Sequence, residues 1–145
     1  MPGESAIAMS TPPHHEWLTR SAGKPFAYLT TFGRRTGKPH RIEIWFAVDG
    51  ENVMLLAGGR DRSDWVRNIQ ANPGVMIELG NDTRPGIARI IEPDTREDRR
   101  ARHLLVEKYA KGDNLVEWGR TSLPVMIEFP PDTRNDQSAR ASDRG

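Results

Sequence analysis

Residues 30–41 read TTFGRRTGKPHR and set four permanent cations, Arg34, Arg35, Lys38 and Arg41, among two glycines and a proline, with no acidic residue in the stretch. Such a loop suits an anion. Guanidinium groups donate in forks that match phosphate and carboxylate oxygens, and an ammonium adds a compact charge. The nearest phosphate-cradling pattern, the P-loop, needs four residues between its glycines and a Ser or Thr after its Lys. Here Gly33 and Gly37 enclose three residues and Pro39 follows Lys38, so that reading fails. A cationic turn is as readily plain solvated surface, and only a scaffold that aims it would make it a site.

Other chemistry is sparse. With no cysteine in the chain, disulfides, thiolate nucleophiles and cysteine-ligated zinc are excluded. His14, His15 and Glu16 stand in a Pro-rich segment far from His40 and His103, so no metal site is expected. Neither a G-x-S-x-G elbow nor a G-x-G-x-x-G turn opening a helix occurs. Asp61 and Asp64 read as balancing Arg60, Arg62 and Arg67 rather than as an acid pair. Trp65, Trp118 and Tyr109 fall at helical spacing where core packing is the default, although a buried Tyr109 hydroxyl needs a partner.

The whole chain limits the partners. It has 145 residues and a formal net charge of +1, enough for one domain and without the global basic field of a nucleic-acid binder. The N-terminus has no basic n-region and no long apolar run, so neither a leader peptide nor a membrane span is expected. A cytoplasmic protein follows as the expectation. Residues 131–145 lack any large apolar side chain and read as a disordered tail, residues 1–13 as a flexible segment, and 14–130 as the ordered domain.

The elements that must position the loop are mostly strands. In 40–48, Ile42, Ile44, Phe46 and Val48 alternate with Arg41, Glu43, Trp45 and Ala47, which puts Trp45 on the polar face. Asp49-Gly50 signals a hairpin into 52–57, a run apolar on both faces. Further strands are expected at 26–31, 75–79, 86–91 and 123–129, with Gly80-Asn81-Asp82 and Pro85-Gly86 as turns. Short strands joined by tight turns favour an antiparallel barrel over a parallel sheet. A short helix is expected from Asp64 to Ala71, capped by Ser63 and stopped by Pro73. A longer one runs from an Asp94–Glu97 capping box to about Tyr109, stopped by Gly112.

On these residues the chain resembles the deazaflavin (coenzyme F420)-dependent nitroreductase and quinone reductase family. The likeness rests on YLTTFGRRTGKPHRIEIWFAVDG, LLAGG, DWVRNIQANPGVMIELG and EWGRTSLPVMIEF, and covers roughly residues 15–130. It implies an α+β fold that is mainly β, a six-stranded antiparallel split β-barrel with a short and a longer helix. It also implies an oxidoreductase that passes hydride from reduced F420 to a quinone-like, enone or nitro-aromatic small molecule. FMN on the same barrel and a non-enzymatic flavin or deazaflavin carrier are the alternatives. F420 carries a phosphodiester and an oligoglutamate tail, which the resemblance assigns to Arg34, Arg35, Thr36, Gly37, Lys38 and His40. Ala57, Gly58, Gly59 and Arg60 match the segment beside the ring system, and Trp65 and Asn68 match helix positions near the cofactor. Trp45 and Tyr109 match aromatic positions on the substrate side. The nitroreductase pattern departs at AKGDNLVE (110–117), which lacks the tyrosines of relatives that reduce bulky nitro compounds. A homodimer is the expected assembly.

Overall fold

The computed structural model describes residues 16–109 and 115–130. The segments expected to be flexible at 1–13 and 131–145, the His14–His15 pair and the helix stop at Gly112 lie outside the described residues. Seven strands are present: β1 (Ala27–Phe32), β2 (Pro39–Ile44), β3 (Ala47–Asp49), β4 (Asn52–Ala57), β5 (Gly74–Leu79), β6 (Asp82–Ile90) and β7 (Leu123–Glu128). They form one antiparallel sheet in the order β2-β1-β5-β6-β7-β4-β3. Its two edge strands, β2 and β3, are consecutive in the chain, separated by Trp45 and Phe46 alone. A sheet whose first and last strands are covalent neighbours must curl until its edges approach, which makes a barrel split between them.

The fold is therefore the expected α+β split barrel, with seven strands in place of six. The extra strand arises because the run 40–48 changes partner midway: β2 pairs with β1 and β3 with β4, and the chain turns a corner between them. Pro85-Gly86 is not a turn. β6 runs straight through it, with Pro85 opposite Met76. Pairing of β6 with β7 begins only at Ile87, so Pro85 lies where β6 has no second neighbour and its missing N–H is no loss.

The barrel interior is filled by residues such as Leu29, Phe46, Val53, Leu55, Ile77 and Ile127, and closed by Trp17 and Leu18 of the short helix α1 (Glu16–Ser21). Full burial of each such side chain contributes roughly 1.5–3 kcal/mol. A second cluster joins Met54, Leu56 and Met126 on the outer face of the sheet to Ala101 and Leu105 of helix α3 (Arg96–Lys108). β4 is apolar on both faces because it serves both clusters. Ala47, expected on the polar face, is buried under α3 for the same reason.

Helix α2 (Asp64–Ala71) follows a single 3-10 turn at Arg60–Arg62, and α4 (Leu115–Thr121) precedes β7. Ser63 occupies the N-cap of α2, but its side chain makes no capping hydrogen bond. The capping box of α3 is shifted by one residue from the expected frame. Thr95 Oγ1 accepts from Asp98 N at 3.1 Å, and Asp98 Oδ2 accepts from Asp94 N at 2.9 Å. Thr95 has the extended backbone a cap requires, whereas Asp94 sits at φ 63°.

Candidate functional site

The loop between β1 and β2 folds back on itself. Gly33 N donates to Lys38 O at 2.8 Å and Gly37 N to Gly33 O at 2.9 Å. Gly37 takes φ 74°, a left-handed conformation that a side chain would strain. Thr36 Oγ1 accepts from Lys38 N at 3.2 Å, so the hydroxyl holds the turn from inside.

Helix α2 and its C-cap clamp this loop with two amides, Asn68 and Asn72. Asn68, almost fully buried, accepts at Oδ1 from Arg34 N (3.2 Å) and Arg34 Nη1 (2.8 Å), while its Nδ2 donates to Thr31 Oγ1 (3.2 Å). Asn72 Nδ2 donates to Phe32 O at 3.2 Å and to Gly33 O at 3.1 Å. At the end of β1, where pairing with β5 has stopped at Thr30, a side chain thus satisfies the Phe32 and Gly33 carbonyls while the ladder to β2 continues.

Between this loop, β2 and α2 lies a groove of about 560 Å³ lined in part by Thr31, Arg35, Thr36, His40, Ile42 and Trp65. Arg34, Arg41, Asp64 and Asn68 complete most of its wall. The four cations differ sharply in what they already hold. Arg34 is fixed by Asn68 and lies 3.5 Å from Asp64 Oδ1. Arg41 pairs with Glu78 at 2.9 Å and lies over the Tyr28 ring at 4.0 Å. Arg35 and Lys38 are exposed and have no acidic partner among the described residues. Of these two, Arg35 lines the groove and remains for an anion there, and Lys38 follows it in the same loop.

A second constellation sits at the corner between β2 and β3. Trp45, 39% exposed, stacks on Tyr109 with centroids 4.2 Å apart and planes 4° from parallel, and Trp118 meets Trp45 edge-on at 5.4 Å. The Tyr109 hydroxyl donates to Pro25 O at 2.8 Å, with Phe46 O at 3.1 Å as the alternative acceptor, and accepts from Phe46 N at 3.1 Å. Burial raises its pKa, partly offset by the Phe46 backbone bond, so the phenol keeps its proton. Lys108 Nζ donates to Phe46 O at 3.0 Å and lies 3.6 Å from the Phe46 ring centroid. Its burial pushes the ammonium pKa down to about 8.

The sequence profile of the F420H(2)-dependent quinone reductases matches residues 13–130. The chain belongs to the F420H(2)-dependent quinone reductase family. The F420H(2)-dependent quinone reductase Rv1261c of Mycobacterium tuberculosis is 29% identical over 106 residues, covering 71% of this chain and 70% of that one. Rv3178 of the same organism, provisionally named for the same activity, is 30% identical over 109 residues, covering 73% and 90%. Among solved structures, an F420-H2-dependent reductase (FDR-A) superposes with a TM-score of 0.61 at 24% identity over 72% of this chain and 95% of its own. HutZ, a heme storage protein of Vibrio cholerae, superposes at 0.66 with 15% identity over 81% and 90%, which shows the barrel and nothing of the ligand.

In this F420H(2)-dependent quinone reductase family member, Arg34, Arg35, Thr36, His40, Trp65 and Asn68 converge on the groove. Gly37 and Lys38 belong to the same loop but are not part of the groove lining. Ala57, Gly58, Gly59 and Arg60 do not line the groove; Gly58 faces Trp118, and Arg60 Nη1 donates to Thr121 O at 2.6 Å. Trp45 and Tyr109 face each other. The sequence reading missed Thr31, Ile42, Asp64 and Asn72. The two amides were visible in DWVRNIQAN as an i, i+4 pair on one helix face, and that spacing was the available signal. Among the described residues no helix is long and apolar enough to cross a membrane.

Proposed function

We propose that the groove seats coenzyme F420, with Arg35 and Lys38 gripping its phosphate and glutamate tail, and that the substrates are quinone-like, enone or nitro-aromatic molecules. The observation that carries this reading is Arg35, an exposed cation without an acidic partner among the described residues, on the wall of a groove whose other arginines are already held, with the exposed Lys38 three residues on in the same loop. The donor set fits the group: guanidinium and ammonium for a polyanion, the Thr36 hydroxyl and His40 imidazole for its oxygens, and the Trp65 ring for a flat surface.

Reduced deazaflavin, when bound, supplies a hydride from its C5 position to the substrate. The chain's part is to bind and orient. The loop fixes the tail, α2 fixes the loop, and Trp45 offers an exposed indole to a flat substrate. Tyr109 holds its hydroxyl on the Pro25 and Phe46 backbone, so its work is to fix the plane of Trp45 rather than to deliver a proton. Alignment of this kind turns a bimolecular encounter into an intramolecular step.

The test is a fluorescence titration of purified protein with F420 and, separately, with FMN, followed by menadione addition to the reduced complex. Preferential F420 binding with oxidation of the cofactor is the expected result. Preference for FMN, or binding of F420 without turnover, would overturn it.

A further inference from the structure

Ser122, between α4 and β7, is fully buried at 0% exposure, and its Oγ has no hydrogen-bond partner among the described residues. No other buried side-chain polar atom there is left in that condition. An unmade hydrogen bond of this kind is destabilising, and native proteins keep few of them. The surroundings of the hydroxyl give it meaning. Gly58, at the end of β4, is exposed, and a Cβ built on it would lie 4.0 Å from Ser122 Oγ, 3.7 Å from Trp118 Cδ1 and 3.8 Å from Trp118 Nε1. A methyl there would be in ordinary van der Waals contact, so glycine leaves bare backbone and a methyl-sized gap beside the Trp118 indole, with the buried hydroxyl next to it. Trp118 in turn meets the exposed Trp45 edge-on, so the gap borders an aromatic cluster.

We propose that Ser122 is a ligand-binding residue, its hydroxyl donating to the carbonyl oxygen of a planar ring seated in the Gly58–Trp118–Trp45 corner once the Trp118 indole shifts aside. The inference rests on the F420-dependent reading, in which the deazaflavin and a quinone both present ring carbonyls. Glycine at 58 lets such a ring approach the backbone closely. A ring carbonyl there would supply the partner that the described residues do not give the hydroxyl.

Ser122→Ala tests this with three measurements on the full chain: thermal unfolding without ligand, fluorescence titration with F420, and tryptophan quenching by menadione. Removing an unpaired hydroxyl leaves Tm unchanged or higher. One of the two affinities weakens by about three- to tenfold, the loss of one uncharged hydrogen bond. Weaker F420 binding assigns the carbonyl to the cofactor, and weaker menadione binding assigns it to the substrate. A clear fall in Tm, or two unchanged affinities, overturns the proposal. Wild-type protein that binds no F420 defeats the functional reading instead, and the menadione arm then decides Ser122 alone.

Discussion

At the scale of single residues, the loop's four positive charges do unlike things. Replacing Arg35 and Lys38 together with Ala should weaken F420 by about 1.5–3 kcal/mol for each charged hydrogen bond lost, read by fluorescence titration. Arg41→Ala, at a groove-wall cation already paired with Glu78, should weaken F420 less than the double variant and reduce stability by no more than about 1 kcal/mol, since that pair is solvent-exposed. Sequence spacing shows the four cations but not this division. Glu78 lies 37 residues from Arg41 and Asn68 lies 34 from Arg34, and only the sheet and α2 bring them together. Lys108 supplies a pH test. Its folded pKa of about 8 lies below the ordinary value of 10.5, so between those values the unfolded chain binds more protons and stability rises with pH. Below that window Lys108 is charged in both states and the burial penalty is fully present. Tyr109 stays neutral through the window because burial raises its pKa. Lys108→Met should flatten the rise in urea-unfolding free energy between about pH 8 and about pH 10.

At the scale of elements, local chemistry specified more than its reading frame. Asp94 and Glu97 satisfy the capping pattern as well as Thr95 and Asp98 do, and the choice falls to the pair whose backbone and burial agree: Asp98 is buried and also pairs with Arg102 at 2.8 Å. Thr95→Ala should cost about 1 kcal/mol in urea unfolding, and Asp94→Ala much less. The helices α1 and α4, six and seven residues long, were not legible. They are too short for an apolar period to declare itself, and their positions come from what they cover. Trp17 and Leu18 close the barrel, and Gly119 allows α4 to lie against Val106 of α3.

At the scale of the molecule, an antiparallel barrel was readable because six short strand-like runs and their turns already favour an antiparallel sheet, and the family resemblance supplied the split. Its closure was not, since the corner at Trp45–Phe46 has the same alternation as the strand it interrupts. What breaks the strand there is a change of partner, held by Tyr109 and Lys108 from another element. Tyr109→Phe should strip the Phe46 N–H and Pro25 carbonyl of their partner, lower stability by about 1–3 kcal/mol, and speed hydrogen exchange at the Phe46 amide. The same closure has a topological side. Trp17 and Phe129, near the two ends of the described chain, meet edge-to-face at 5.1 Å, while the opposite edges of the sheet are already joined through the corner. The described barrel from Trp17 to Phe129 therefore runs almost as a closed circuit. That circuit could be reopened elsewhere, for instance at the exposed Gly80-Asn81 turn, with Glu16 and Pro130 joined by a linker, and every ladder of the sheet would still find its partner.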